Sequence, residues 1–235
     1  EFRRVLFRSP PFHFRGQYPG LSPLQPAAAN GKATLAELAR REASLAQRAQ
    51  RIADHDTVEN LQRIYGFYID KGLWSEAAAL FTDDAEFEIQ GHGVFRGRDR
   101  ILAYMRAVGP EGLQAGRLYD HMQLQPLTHV ATDGKSAKGR WHLFAQLAQH
   151  GKFHEWETGV YENEYRNEGG TWKISRLHLY PTMITPYEAG WGKQSLPASR
   201  FEPALKPDAP SAQSSTYDRA FTPPFHYTHP VRGAR

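Results

Sequence analysis

The hydrophobic pattern of this chain changes period once, after a Gly-Pro-Glu-Gly loop at residues 109–112, and that change constrains the fold class. Before the loop, apolar residues recur at helical spacing; after it they alternate with polar ones, as in strands with one buried face. Asp133–Gly134, His150–Gly151 and Gly169–Gly170 are dipeptides typical of hairpin turns. Helices followed by an antiparallel meander predict an α+β domain with the helices on one face of a curved sheet. The predicted strands cover residues 117–130, 136–149, 154–167 and 171–180.

The segment before the loop is predicted to be mainly helical. A first helix over residues 33–53 carries an apolar stripe and breaks near Asp54–His55. A second begins at Asp56, which forms a capping-box pattern with Glu59, and it ends at Gly72. The remaining elements are a helix over residues 73–81, strands over 85–89 and 94–96, and a helix over 98–108.

Composition and charge exclude several classes of protein. The 235 residues are 40 % hydrophobic, enough for one core with tails. Residues 1–9, EFRRVLFRS, resemble a translated sequencing adapter and contribute +2 of the +4 net charge, although a natural basic arm is the alternative. Neither nucleic acid nor a membrane is therefore an expected partner, and no apolar run of about 18 residues is present. The true N-terminus is expected to be missing, so a soluble cytoplasmic protein is the default and secretion stays open.

The chain is predicted to contain one domain between two irregular segments. Residues 10–32 indicate a linker or the tail of a preceding domain, 33–191 the domain, and 192–235 a Pro-rich extended tail. A short motif occurs in both flanking segments: Pro-Pro-Phe-His-Phe at residues 10–14 and Pro-Pro-Phe-His-Tyr at 223–227. It is either a chance likeness of two loops or a sign that a similar domain precedes this one.

Three polar side chains could converge on one pocket. Tyr65 lies on the apolar face of its predicted helix, Asp70 lies beside that face in the last turn, and His121 lies on a strand. Local structure explains Asp70 least, because a carboxylate opposes the helix dipole at this end. Next to an imidazole, a carboxylate fixes the tautomer and favours the charged ring, so the set suits proton transfer. The structural alternatives are a core Tyr, a solvated Asp and a structural strand His.

The motifs around these residues resemble a known family. They are TVENLQRIYGFYIDKGLW, LFTDDAEFE, GRW and TWKISRLH, and the likeness covers about residues 53–191. This stretch resembles the SnoaL-like branch of the nuclear transport factor 2-like superfamily, nearest in motif to the bacterial bile-acid dehydratases and, more remotely, the scytalone dehydratases. The resemblance implies a cone-shaped α+β barrel and cofactor-free catalysis by Tyr65, Asp70 and His121. Ala145 departs from it, since the bile-acid dehydratases carry an Asp at the matching position.

The remainder of the predicted site is a largely apolar pocket for a small molecule. Glu155 and Glu157 are expected at a solvated strand edge, and His142 on the outer face of the sheet. No metal is predicted, because no set of carboxylates and His has ligand spacing, and the chain has no Cys. The predicted substrate-binding residues are Trp74, Gln123, Trp141, Leu143, Ala145, Tyr161 and His178, the last on one face with Trp172 and Ile174.

The sequence thus predicts a cofactor-free lyase or isomerase, dehydratase-like, acting on a hydrophobic cyclic hydroxy-carbonyl compound. His121 is the expected general base, Asp70 orients and charge-stabilises it, and Tyr65 polarises the carbonyl or assists the leaving group. A non-catalytic small-molecule-binding or assembly domain is the alternative, favoured by Ala145 and the long tail; a dioxygenase beta subunit is a weaker one. A homodimer or homo-oligomer is expected, since sheets of this fold often pair.

Overall fold

The computed structural model describes residues 33–198, 205–211 and 221–233. The adapter and linker predictions for residues 1–32 lie outside that part of the chain. The chain divides into two compact units, Glu1–Leu45 and Ala46–Arg235. In chain order the described elements are α1 (Leu35–Asp70), α2 (Trp74–Ala79), β1 (Phe81–Ile89), β2 (Gly93–Arg96), α3 (Arg98–Val108), β3 (Arg117–Val130), β4 (Ser136–Gln149), β5 (Phe153–Glu168) and β6 (Thr171–Pro186).

The predicted break near Asp54–His55 is wrong, because α1 is continuous through it. Neither residue prevents a helix, and side-chain bonds support the turns on either side. Gln50 Nε2 donates to Asp54 Oδ1 at 3.1 Å, and the Thr57 hydroxyl donates to the Ala53 carbonyl at 2.7 Å. Asp54 is itself buried and accepts a hydrogen bond from the Trp172 indole at 2.9 Å, so its polarity serves the tertiary structure rather than a helix end.

The helix start predicted at Asp56 and Glu59 is also misplaced. The reciprocal bonds of a capping box are found at Thr34 and Glu37 instead. Thr34 N donates to Glu37 Oε2 at 2.8 Å, and Glu37 N donates to Thr34 Oγ1 at 3.2 Å. The same sequence pattern therefore occurs twice, and the copy that follows a non-helical residue is the one that caps.

The prediction of a mixed α+β fold with a curved, mostly antiparallel sheet is confirmed. Six strands pair in the order β2-β1-β6-β5-β4-β3, antiparallel except where β1 meets β6. The sheet is open, with β2 and β3 as its edges among the described strands. Gly134, Gly151 and Gly169 have positive φ at the hairpin turns, a conformation that costs glycine least. β3, β4 and α3 have the predicted bounds, and β6 continues beyond the predicted end to Pro186.

The last four turns of α1 pack on the inner face of the sheet. Tyr65 is buried, and its ring meets that of Phe81 edge-on at 5.9 Å between centroids. Gln62 is fully buried and satisfied: its Nε2 donates to Gln123 Oε1 at 2.8 Å, and its Oε1 accepts from Asn163 at 2.9 Å. Removing one partner would leave a buried polar group unpaired, so this network holds α1 to β3 and β5 in one register.

A β-bulge reverses the expected face of His178. The register between β5 and β6 shifts between Glu164 and Tyr165, which pair with Arg176 and Ile174. The extra residue on β6 exchanges inward and outward positions beyond it. His178 therefore lies on the outer face of the sheet, opposite Trp172 and Ile174. There it stacks on Tyr180 at 3.8 Å and lies 3.3 Å from Glu88.

The C-terminal segment makes specific contacts with the domain, although it has few regular elements. Ala209 forms a β-bridge with Val94 on the edge strand β2, and Asp208 accepts a bond from the Arg96 backbone at 2.9 Å. Residues 221–227 lie on the outer face of the sheet, where Phe221 contacts Tyr180. Within the described ranges, no helix combines the length and apolar character that a membrane crossing requires.

Candidate active site

A cavity of about 380 Å³ lies between the helices and the inner face of the sheet. Its walls are mostly apolar or aromatic, which is the usual make-up of a small-molecule site. The polar and charged groups that reach it are few. Those groups are Tyr65, His92, Tyr104, Arg117, Tyr119, His121, Glu155, Glu157 and Tyr161.

Asp70 and His121 form a close pair at the cavity wall. Asp70 Oδ1 lies 2.9 Å from His121 Nδ1 and also accepts the backbone N–H of His121 at 2.8 Å. Both side chains are largely buried, with 18 % of His121 and 14 % of Asp70 exposed. The last turn of α1 thus holds β3 and its imidazole through one carboxylate. Since Nδ1 donates to Asp70, Nε2 is the nitrogen that can accept a proton.

Gly66 allows α1 to approach β3 closely enough for this pair to form. A Cβ at position 66 would lie 2.8 Å from Gln123 Cγ and 3.2 Å from the His121 carbonyl oxygen. Glycine inside a helix costs about 0.5–1 kcal/mol relative to alanine, so its presence here has a packing reason. The glycine within the helical motif YGFYID is visible in the sequence, but only the contact with β3 explains why a glycine is needed there.

Tyr65 lines the same cavity as His121. Burial raises the pKa of the Tyr65 phenol well above its ordinary value, with Tyr161 and Tyr104 adding to the effect. Burial likewise raises the pKa of Tyr104 and Tyr161. All three phenols therefore stay protonated at neutral pH, and those of Tyr65 and Tyr161 can donate a hydrogen bond to a substrate oxygen.

The other predicted binding residues separate into two groups. Trp74, Leu143 and Tyr161 line the cavity, whereas Gln123, Trp141, Ala145 and His178 do not. Gln123 bonds Gln62 and the His121 carbonyl, so it positions the strand that carries His121. Trp141 donates to Tyr165 at 3.0 Å within the core.

Several cavity residues were missed or misplaced by sequence reasoning. Glu155 and Glu157, expected at a solvated edge, line the cavity, as does Arg117. Glu157 pairs with Ala145, which pairs in turn with His121, so only one small side chain separates the carboxylate from the imidazole across the sheet. The alternation of side chains along β5 showed that Glu155 and Glu157 share one face of the sheet. It could not show that the helices cover this face.

His92 is a further polar group of the cavity lining. His92 Nε2 is 2.9 Å from the Ala198 carbonyl, and its Nδ1 is 2.6 Å from the Tyr104 hydroxyl. Because the carbonyl can only accept, Nε2 donates and Nδ1 accepts from Tyr104. The C-terminal segment thus completes the cavity wall at Ala198. In the described part of the chain, no three His, Asp or Glu residues are grouped as a metal would require.

Fold and sequence together place the chain in a family. The SnoaL-like domain profile matches residues 50–178, more than half of the chain, so the protein belongs to the SnoaL-like family, within the nuclear transport factor 2-like fold. Among characterised proteins, hexachlorocyclohexane dehydrochlorinase 1 of Sphingobium indicum is 26 % identical over 137 residues, covering 58 % of this chain and 86 % of the relative.

Solved structures show the same fold. A scytalone dehydratase-like protein of Novosphingobium aromaticivorans superposes with a TM-score of 0.51 at 22 % identity, over 64 % of this chain and 97 % of that one. The hexachlorocyclohexane dehydrochlorinase LinA-type3 of Novosphingobium barchaimii superposes with a TM-score of 0.52 at 21 % identity, over 59 % and 93 %. At these identities the likeness shows the fold alone.

Proposed function

We propose that this protein is a cofactor-free lyase that eliminates a small leaving group from a hydrophobic cyclic compound by general acid–base catalysis. The carrying observation is the Asp70–His121 pair at the wall of an apolar cavity that Tyr65 also lines. The family and the likeness of this chain to a dehydrochlorinase support a lyase-like role. The substrate class that suits the site best is a hydroxy-carbonyl compound.

The reaction begins with transfer of a proton from the carbon alpha to the carbonyl to His121 Nε2. The C–H electrons form the new double bond, the beta C–O bond breaks, and the departing hydroxide takes the proton from the imidazolium, either directly or through Tyr65, which the imidazolium then reprotonates. Substrate becomes an unsaturated carbonyl compound and water, so atoms and charge balance. Asp70 stabilises the imidazolium during the reaction and holds the tautomer that leaves Nε2 basic. General acid–base catalysis of this kind contributes about 10²–10⁴-fold in rate.

Glu157 supplies a second carboxylate to the proposed reaction. The resemblance expects an Asp where this chain has Ala145, and Glu157 is the direct cross-strand neighbour of Ala145 on β5. Glu157 lines the cavity and is therefore within the space that a substrate would fill. In this role it holds the substrate hydroxyl, which fixes which carbon faces His121.

The size and charge of the cavity narrow the substrate. A volume of about 380 Å³ is at the lower end of the range for small-molecule pockets, which favours a compact ring compound. Apolar walls select a hydrophobic body. Arg117 places a guanidinium at the cavity, 4.7 Å from the Tyr119 ring and 5.3 Å from the Phe153 ring. Its positive charge can stabilise the oxygen of a polarised carbonyl.

The test compares His121→Ala with His142→Ala in the full chain. His142 is an exposed residue of the same sheet on its outer face and serves as the matched control. A panel of one- and two-ring beta-hydroxy-carbonyl compounds is followed by the ultraviolet absorbance of the conjugated product. We expect His121→Ala to lower kcat/KM by about 10³-fold, because the base is lost, and His142→Ala to leave it unchanged.

Equal turnover of the two variants would reject the assignment of His121. A cavity that binds panel compounds with an affinity insensitive to Tyr65, Asp70 and His121, and that turns none over, would instead identify the non-catalytic binding domain. That alternative rests on Ala145, where the resemblance expects a carboxylate.

A further inference from the structure

The outer face of the sheet carries a charged pair that is withdrawn from water. Arg140 on β4 pairs directly with Glu162 on β5, and Arg140 Nε lies 2.9 Å from Glu162 Oε1. Each side chain is only 11 % exposed. Desolvated charges are costly unless further polar contacts satisfy their remaining atoms. The groups that enclose this pair in the folded chain therefore have to supply those polar contacts.

The cover is residues 223–227 of the C-terminal segment. Arg140 donates to the Pro223 carbonyl at 3.2 Å, and its guanidinium lies 4.2 Å from the centre of the Phe225 ring. His226 Nδ1 is 2.8 Å from Glu162 Oε2, and His226 Nε2 is 3.0 Å from His129 Nδ1. We call the three sheet residues, His129, Arg140 and Glu162, the tail dock.

The residues that contact the tail dock are those of the repeated motif. Pro223, Phe225 and His226 make the bonds and the ring contact, and the Tyr227 ring lies 6.1 Å from that of His129. The described hydrogen bonds of residues 228–233 are internal to that stretch, around His229. The contacts with the tail dock are thus made by Pro-Pro-Phe-His-aromatic, the sequence that also stands at residues 10–14. Phe221, outside this motif, contacts Tyr180 instead.

We propose that the tail dock is a peptide-binding surface for Pro-Pro-Phe-His-aromatic sequences, and that residues 10–14 of a second copy of this chain are its ligand in competition with residues 223–227. Every group that the dock uses is present in the second motif: the Pro10 carbonyl, the Phe12 ring and the His13 imidazole. Phe14 lacks the hydroxyl of Tyr227, but the contact that Tyr227 makes with His129 is through its ring.

Residues 223–227 of the same chain compete for the tail dock and therefore weaken the apparent binding of residues 10–14 from a second copy. A tethered segment has a higher effective concentration than the same segment of another copy in a dilute sample, so residues 223–227 occupy the dock there. Binding in trans then becomes visible at high protein concentration or when the resident motif is weakened. A Phe225→Ala/His226→Ala variant removes the ring and the imidazole and leaves Arg140 and Glu162 in place.

The experiment measures binding of a labelled synthetic peptide of residues 9–18 by fluorescence anisotropy. The protein is the full chain with Phe12→Ala, His13→Ala, Phe225→Ala and His226→Ala, so that neither internal motif competes. We expect saturable binding that weakens about tenfold with Glu162→Gln and is unchanged with His142→Ala, an exposed residue on the same face. A peptide of residues 221–230 is expected to bind the same surface and displace the first.

Two results would overturn the proposal. One is a peptide of residues 9–18 that binds no better than its Phe12→Ala/His13→Ala form while the 221–230 peptide binds; the other is failure of both peptides to bind. Sedimentation of the full chain gives the second readout: Phe225→Ala/His226→Ala increases concentration-dependent association above that of the unsubstituted chain, and adding Phe12→Ala/His13→Ala removes the increase. An increase that persists in the fourfold variant would show that residues 10–14 do not cause it and would likewise overturn the proposal.

Discussion

The two faces of the sheet each carry a histidine paired with a carboxylate, and the pairs differ in what the second ring nitrogen meets. On the inner face, His121 bonds Asp70 through Nδ1 at 2.9 Å, and within the described residues its Nε2 has no hydrogen-bond partner. On the outer face, His226 bonds Glu162 at 2.8 Å and its Nε2 meets His129 at 3.0 Å. The same residue types thus form a basic group at a cavity in one place and a closed structural contact in the other.

The surroundings of a histidine–carboxylate pair, rather than the pair itself, therefore determine whether it can take part in catalysis or only stabilises the fold. His121 lies at the wall of a cavity with apolar sides, where a proton can be taken from a substrate. His226 is enclosed by Arg140, Glu162 and His129, with 7 % of its side chain exposed. Both nitrogens there are already engaged, so the pair has no site for a reacting group.

The largest expected effect comes from neutralising the carboxylate of each pair. We expect Asp70→Asn to lower kcat/KM by about 10²–10⁴-fold, since the imidazolium loses its stabilising charge while the amide can still accept a bond. Glu162→Gln is expected to change kcat/KM less than about twofold and to lower the free energy of unfolding by about 3 kcal/mol, because Arg140 is left unpaired. Steady-state kinetics and urea unfolding on both variants check the contrast. A loss of kcat/KM of similar size in Glu162→Gln would show that the two pairs do not differ in their role in catalysis.

A smaller effect is expected where helix and strand meet beside His121. Gly66→Ala places a methyl group 2.8 Å from Gln123 Cγ and 3.2 Å from the His121 carbonyl oxygen, so β3 must move. We expect the steric clash to lower the free energy of unfolding by about 1–3 kcal/mol, which the higher helix propensity of alanine offsets by about 1 kcal/mol. We also expect kcat to fall, because β3 carries His121. Gly192→Ala, where a Cβ meets nothing within 4 Å, is the matched control. A Gly66→Ala variant as stable and active as Gly192→Ala would show that close approach is not required.

The smallest expected effect is a pH dependence that belongs to the outer face. Burial, followed by the charge of Arg176, lowers the pKa of His178 to about 4. Because the unfolded chain binds this proton near pH 6.5, stability is present above that pH and is lost as pH falls towards 4. Between pH 7 and pH 5 the loss is about 1–2 kcal/mol, the lower figure allowing for Glu88 at 3.3 Å, which favours the charged ring.

Urea unfolding of the full chain and of His178→Gln at both pH values measures this term. The stability of His178→Gln is expected to change less between the two pH values than that of the natural chain, while Tyr180 continues to cover the site. Equal slopes for the two proteins would assign the pH dependence to other groups.

The sequence alone determined the elements where local signals agree. Turn dipeptides with glycine in the left-handed region set the bounds of β3 and β4, and Gly72 ended α1 next to Asp70. The helix break failed because Asp54 and His55 carry a capping-like pattern but no residue that forbids a helix. Local propensity could not reveal that Asp54 is bonded to Trp172, more than a hundred residues away.

The tertiary structure decided which side chains share a site. Tyr65, Asp70 and His121 were identified from the chain because their motifs are local, and the fold places Asp70 against His121. Glu157 reaches the same cavity from β5 and His92 from the turn between β1 and β2, whereas Arg117 shares β3 with His121. The strand period relates Arg117 to His121, but no sequence pattern relates either to Glu157 or His92. One bulge in β6 moved His178 to the opposite face, because side-chain direction along a strand depends on every residue of the register. Sequence determines the order of strands and turns, whereas convergence on a cavity depends on pairing between distant segments.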